Sequence, residues 1–460
     1  MKPIRVLLIA EAANPEWVSV PLVGWCQAEA LARRTEAHLV TQVRNRDAIV
    51  RAGWTEGREF TAIDSERLAA PLWKLASVCR GGAGRGWTTL TALASMSYFY
   101  FERLIWKKFG PDICAGRFDV VHRLTPLSPT TPSPLACKCH GVGVPFVLGP
   151  LNGGVAWPRG FDYARRYERE WFSYVRGAYK LLPGYRRTRA CAAALVIGSR
   201  ATLAQVPACY RHKCVYVPEN AIDPRRFPSP RTRQSSLPLR VVFVGRLVPY
   251  KGPDMLLEAA APLVRQNRVA LDFIGEGPLR PQLAAMIASS QLESGVRLCG
   301  WVDHTQLQHH LGQADILGLP SIREFGGAVV LEAMALGVVP LVVNYGGPAE
   351  LVTPQSGFLI ELGSRRQIVE AFRAVLERLC QNPALLAARS LAATRRVDRL
   401  FTWDRKAEQM MAVYRWVLGQ RTVRPDFGMP LAEPDFGAET DAKVTSLAAF
   451  DGHGLWEPVS

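Results

Sequence analysis

No stretch of this 460-residue chain is apolar and uninterrupted for long enough to cross a bilayer; the nearest, 90–106, is broken by Glu102 and Arg103. A secretory leader is missing too. The opening KPIRVLLIAEAA has a short apolar core that soon meets Glu11, so a cytoplasmic protein is expected, touching membrane only peripherally. The ten cysteines lack paired zinc spacing: Cys137 and Cys139 form an isolated C-x-C, which points to reduced thiols rather than metal ligands or disulfides. No Asp-x-Asp pair appears, and no metal site is expected. Acidic residues are scarce in the first half only. Residues 1–237 hold 34 Lys and Arg against 17 Asp and Glu, a net +17, whereas 238–460 hold 22 against 23, a net −1. Such asymmetry implies different partners for the two halves.

What is present describes a folded protein of two or more domains, with 48% hydrophobic and 21% charged residues. Apolar runs at 4–10, 118–122, 145–148, 193–199, 240–244, 271–277, 296–302 and 338–343 read as buried parallel strands between helical patterns, an α/β plan. The most informative stretch is 317–350. It holds Glu324, a Phe325-Gly326-Gly327 turn, a helical pattern from Ala328 that carries Glu332, and a buried strand after Gly337. The glycines let a ligand approach the backbone, and the free N–H groups at the helix start suit an anion. Two carboxylates beside an anion would repel it but accept hydrogen bonds from hydroxyls. Phosphate flanked by polyols is a nucleotide-diphospho-sugar.

Glu324 and Glu332, separated by seven residues in SIREFGGAVVLEAMALG, resemble the E-x7-E signature of retaining glycosyltransferases of family 4. The resemblance implies two facing Rossmann-like domains (the GT-B fold) and a last helix that crosses back to the first domain. It implies that Glu324 contacts the hydroxyls of the transferred sugar and Glu332 the donor ribose, with the Phe325 to Ala328 backbone against sugar and diphosphate. No separate cofactor is implied; a UDP- or GDP-type sugar is the donor substrate.

Gly245, Arg246 and Lys251 follow the strand at 240–244 and place two cations where a pyrophosphate would sit. They resemble the family's Gly-Arg-Leu and Lys-Gly elements, implying diphosphate binding. Gly275, Gly277 and Gly300 end two further strands and are candidates for donor contact.

The acceptor side departs from the family pattern. Its usual histidine after the strand at 145–148 is missing, and the loop reads GPLNGG. Asn152, Gly153 with the local amides, and His122 are the candidates for the reacting oxygens. A hydrogen-bonded histidine packed at a strand end is the other reading of His122. Residues 159–189 interleave nine Lys and Arg with eight aromatics, which suits either an anionic membrane surface or a solvated helix face; nucleic acid is not expected. The cluster GGAGRG at 81–86 is read as a flexible loop rather than a phosphate loop.

The expected organisation is an acceptor domain at 1–227, a linker at 228–238, a donor domain at 239–400, a returning helix at 401–420 and a disordered acidic tail at 421–460. The expected activity is transfer of a sugar to a glycan or polyprenyl-linked acceptor, with bacterial surface-polysaccharide assembly as the family's largest occupation. A sugar-nucleotide epimerase of the same fold and an inactive sugar-nucleotide-binding protein are the alternatives.

Overall fold

The computed structural model describes residues 2–66, 87–167, 183–227 and 236–429. The glycine cluster at 81–86, residues 168–182 of the basic aromatic stretch, most of the 228–238 segment and the tail from 430 lie outside the described residues.

Two parallel sheets organise the chain. The first contains β1 (Arg5–Ala10), β2 (Glu36–Gln42), β3 (Phe60–Ile63), β4 (Val120–Thr125), β5 (Phe146–Leu151), β6 (Ala194–Ile197) and β7 (Cys214–Tyr216) in the order β3-β2-β1-β4-β5-β6-β7. The second contains β8 (Leu239–Val244), β9 (Val269–Ile274), β10 (Val296–Gly300), β11 (Ile316–Leu319), β12 (Val339–Val343) and β13 (Phe358–Ile360) in the order β10-β9-β8-β11-β12-β13. Every residue of β4, β5 and β12 is buried, because helices cover both faces of a parallel sheet. In each sheet the order reverses beside its first strand, between β1 and β4 and between β8 and β11. Such a switch point opens a crevice at the carboxyl ends of the strands.

The last helix, Trp403–Val417, returns to the first sheet. Its Ala407, Met410, Val413 and Tyr414 enter the apolar cluster built from β1 and Trp25 of the helix Val20–Ala32. At the rim Arg33 pairs with Asp404 at 3.1 Å and Arg34 with Glu408 at 2.9 Å, exposed pairs that add little energy. The first domain reaches back in turn. Phe161, Tyr216, Ile222 and Phe227 lie in the apolar cluster of the second sheet.

Of the two readings of His122, the structure supports the packed, hydrogen-bonded one and not the acceptor-side one. Its side chain is fully buried on β4, and both ring nitrogens are engaged. Nε2 lies 2.7 Å from the Gly149 carbonyl and Nδ1 2.6 Å from the Tyr414 hydroxyl. A carbonyl can only accept, so Nε2 carries the proton and Nδ1 receives the tyrosine O–H. Burial lowers the ring to about 4 despite the Gly149 bond, which keeps it neutral. It ties the returning helix to the first sheet and leaves no nitrogen for an acceptor hydroxyl.

This burial has a pH signature. Below about 6.5 the unfolded histidine takes up a proton that the native ring refuses until about 4. Stability is therefore lost as pH falls through that window, by about 3 kcal/mol at full extent. Urea titrations at pH 7 and pH 4.5 are expected to show a smaller acid loss in His122→Gln than in the parent; equal losses would contradict this assignment.

Candidate active site

The crevice at the β8–β11 switch point gathers the main sequence candidates. Beyond β8 the chain passes Gly245 and the exposed Arg246 into the turn Pro249–Lys251; beyond β11 it reaches Arg323, Glu324 and the Phe-Gly-Gly turn. The Ile322 N–H donates to the Tyr250 carbonyl at 2.9 Å, which knits the two loops together. Lys251 Nζ then lies 2.6 Å from Glu324 Oε2, both side chains largely buried. Burial alone would lower the Lys251 ammonium, but Glu324 and Tyr250 together hold the group above its ordinary value, with Arg246 opposing. Lys251 can lie there because Gly245 has no side chain: a Cβ would stand 3.2 Å from Lys251 Cδ and 3.3 Å from Nζ.

The Phe-Gly-Gly turn is enclosed from two sides. A Cβ on Gly347 would stand 2.2 Å from the Phe325 carbonyl oxygen, and one on Gly326 would stand 2.2 Å from Asn220 Nδ2 and 2.4 Å from Glu219 Oε1. The bare backbone of Gly326 thus accommodates side chains of the first domain, where the sequence suggested room for a ligand. Gly327 caps the helix Ala328–Ala335 and packs on Pro348, while Ala328 is exposed, so the helix start opens to solvent. Glu332 sits half-buried on this helix. Burial raises its carboxyl above the ordinary value and the charge of Arg226, in the turn Pro224–Arg226, opposes that rise.

Gly275 and Gly277 pack the ends of β8 and β9. Cβ atoms there would lie 2.1 Å from the Gly245 carbonyl oxygen and 2.5 Å from the Leu247 carbonyl oxygen. Gly300 closes β10 next to Glu276 and accepts the Gly275 N–H at 2.7 Å. All three have this packing role whatever they contribute to a ligand.

Asn152 faces the second domain from beyond β5. Its Nδ2 donates to Glu219 Oε1 at 2.6 Å and to the Phe325 carbonyl at 3.0 Å, and Oδ1 is left buried with no hydrogen bond. An unsatisfied buried oxygen costs about 1–3 kcal/mol, a sign that the two bonds made by Nδ2 dictate the geometry. Gly153 donates its N–H to Thr202 Oγ1 at 3.1 Å and packs on Pro129.

Several residues at this junction carried no sequence signal. Burial pushes the Glu219 carboxyl up to about 7, against the Asn152 bond and the charge of Lys406. Lys406, on the returning helix and 2% exposed, is drawn down by burial to about 7 while Glu219 opposes the fall. Glu350 accepts from the Tyr216 hydroxyl and, at 3.0 and 2.9 Å, from the Arg200 N–H, another bond between domains. Arg323 lies over the rings of Trp157 and Phe325, with its Cζ 4.7 and 5.1 Å from their centroids. Each of them is isolated in sequence and belongs to no motif.

Residues 230–383 match the family model described as "Glycosyl transferases group 1". The chain is 32% identical over 203 residues to a glycogen synthase of Mycobacterium tuberculosis, covering 44% of this chain and 48% of that protein. It is 31% identical over 195 residues to the amylovoran biosynthesis glycosyltransferase AmsK of Erwinia amylovora, covering 41% and 47%. The chain therefore spans about half the length of these relatives. Among solved structures, a glycosyltransferase from Rickettsia africae superposes with a TM-score of 0.58 at 14% identity, over 92% of this chain and 100% of that one. Anabaena Alr3699/HepE in complex with UDP gives 0.55 at 16% identity, over 89% and 98%. These likenesses and the two sheets show the GT-B fold.

The interlock of the two glycine loops is testable. Gly347→Ala sets a methyl against main chain that cannot swing away, and should cost about 1–3 kcal/mol. Differential scanning calorimetry should show a lower melting temperature, whereas Gly141→Ala, whose Cβ meets nothing within 4 Å, should melt like the parent. Equal melting of all three proteins would mean that the loops do not interlock this way.

Proposed function

We propose that this protein is a retaining glycosyltransferase. It takes a sugar from a nucleotide-diphospho-sugar bound by the second domain and passes it to a glycan or lipid-linked acceptor held by the first. The observation that carries the reading is the convergence at one switch point of Arg246, Lys251, the exposed helix start at Ala328 and the carboxylate of Glu324. The cations and the helix start suit a diphosphate, and the carboxylate suits sugar hydroxyls. The match of residues 230–383 to a glycosyltransferase model supports the same reading.

In the proposed reaction the bond from the sugar's anomeric carbon to the diphosphate oxygen breaks. The acceptor oxygen bonds to that carbon on the same face, and its proton passes to the departing diphosphate. Negative charge grows on the leaving group. Lys251 and Arg246 compensate it without a metal ion, so activity is expected to persist in EDTA. The Lys251–Glu324 pair prepares both groups: a donor offering phosphate oxygens and sugar hydroxyls would exchange one strong contact for two matched ones.

A panel of UDP- and GDP-sugars should reveal the donor as a rise in melting temperature, since about a hundredfold excess over Kd adds about 2.7 kcal/mol. Lys251→Ala and Glu324→Ala should each lower transfer by about 10²–10³-fold. A chain that no nucleoside diphosphate stabilises would lack the proposed activity. A donor converted to its epimer without acceptor would assign the epimerase chemistry instead.

The net +17 of residues 1–237 favours an anionic surface for the acceptor side, such as the inner face of a membrane bearing a polyprenyl-linked glycan. No helix among the described residues is long and apolar enough to cross a membrane. Sedimentation with vesicles containing anionic lipid, reversed by salt, is the expected outcome; equal sedimentation with neutral vesicles would remove the charge argument.

A further inference from the structure

We propose that Asn152, oriented by Glu219, is a positioning residue that holds the turn between Glu324 and the Glu332 helix in place from across the domain boundary. The inference rests on reading 324–332 as the donor site, and goes further by making the first domain a structural part of that site.

The geometry leaves little freedom. The Asn152 side-chain nitrogen bonds simultaneously to Glu219 Oε1 in the first domain and to the Phe325 carbonyl in the second. An ionised carboxylate and a carbonyl only accept, so the amide must present its N–H groups to both, which explains why Oδ1 is left without a partner. The asparagine is itself anchored, because its main-chain N–H donates to the Leu127 carbonyl at 2.8 Å. Beside it, Glu219 and Asn220 fill the space that a Gly326 side chain would need. Glu219 is bound by Asn152 and Asn220 and lies within the fields of Lys406 on the returning helix and of Glu350 in the second domain. Lys406 in turn lies over the Phe401 ring and feels Arg396 and Glu219. A shift of the Phe325–Gly326 backbone moves Glu324 on one side and the start of the Ala328–Ala335 helix on the other. The two groups assigned to the sugar and the leaving diphosphate are thus set by one grip, which exists only when the domains meet.

Three variants of the full chain test this: Asn152→Asp, Asn152→Ala and Glu219→Gln. Asn152→Asp turns an oxygen toward two oxygens and should lower kcat at least tenfold, with UDP or GDP binding by calorimetry within about threefold of the parent. Asn152→Ala should fall between that variant and the parent. Glu219→Gln keeps an accepting oxygen for the Asn152 amide, so its kcat should stay within about threefold of the parent. Parental kcat in both Asn152 variants would overturn the proposal, as would a Glu219→Gln variant that loses as much kcat as Asn152→Asp. If Asn152→Asp does not fold, the comparison of Asn152→Ala with Glu219→Gln decides: kcat lowered in the first and kept in the second, with UDP or GDP binding kept in both. A parent that binds neither UDP nor GDP would instead overturn the donor-site reading, an outcome visible before any variant is compared.

Discussion

The contact between Lys251 and Glu324 holds the candidate site together, because it closes the crevice that the strand order opens. Two parallel strands whose connections leave in opposite directions must part at their carboxyl ends, and β8 and β11 do so. The gap is lined by main chain and by whatever the two loops project into it. An ammonium and a carboxylate 2.6 Å apart there attract each other, at a desolvation cost that the attraction roughly offsets. Such a pair adds little net stability, and in the proposed reaction it is the contact that a donor's phosphate and hydroxyls would replace.

Around that pair the structure relies on glycine to bring main chains together. Gly347 against Phe325, Gly275 against Gly245 and Gly277 against Leu247 are all approaches that a methyl group would prevent. The loops at the end of the second sheet therefore form one interlocked layer. The first domain adds to it through Asn152, Glu219, Trp157 and the Tyr216–Glu350 bond. The geometry of this layer therefore depends on how the domains meet, even though most of its charged groups belong to the second.

Much of this was legible beforehand where the signal was local. Strands β8 and β12 are apolar runs because both their faces are covered; the end of β8 points to Arg246 and Lys251 without knowledge of the fold, and Glu324 was picked out by its spacing from Glu332. Strands β2 and β3, at one end of the first sheet, were not legible. Strand β2 carries Glu36, His38, Thr41 and Gln42, and its pairing to β1 and β3 comes from register rather than from hydrophobicity. The packing glycines at 275 and 277 were found as glycines, but the partner that required each of them lies in another loop, the one beyond β8.

The sequence alone determined the α/β plan, the basic first half and the spacing of two acids around a glycine turn, because each is written within a few tens of residues. Tertiary structure decided the rest. It gave His122 to Tyr414, which is 292 residues away, and it brought Asn152, Glu219 and Lys406 from three separate elements to the boundary beside Phe325. Hydrogen bonds and buried charge act over a few ångströms in space and keep no record of distance along the chain, so no local pattern could have announced them.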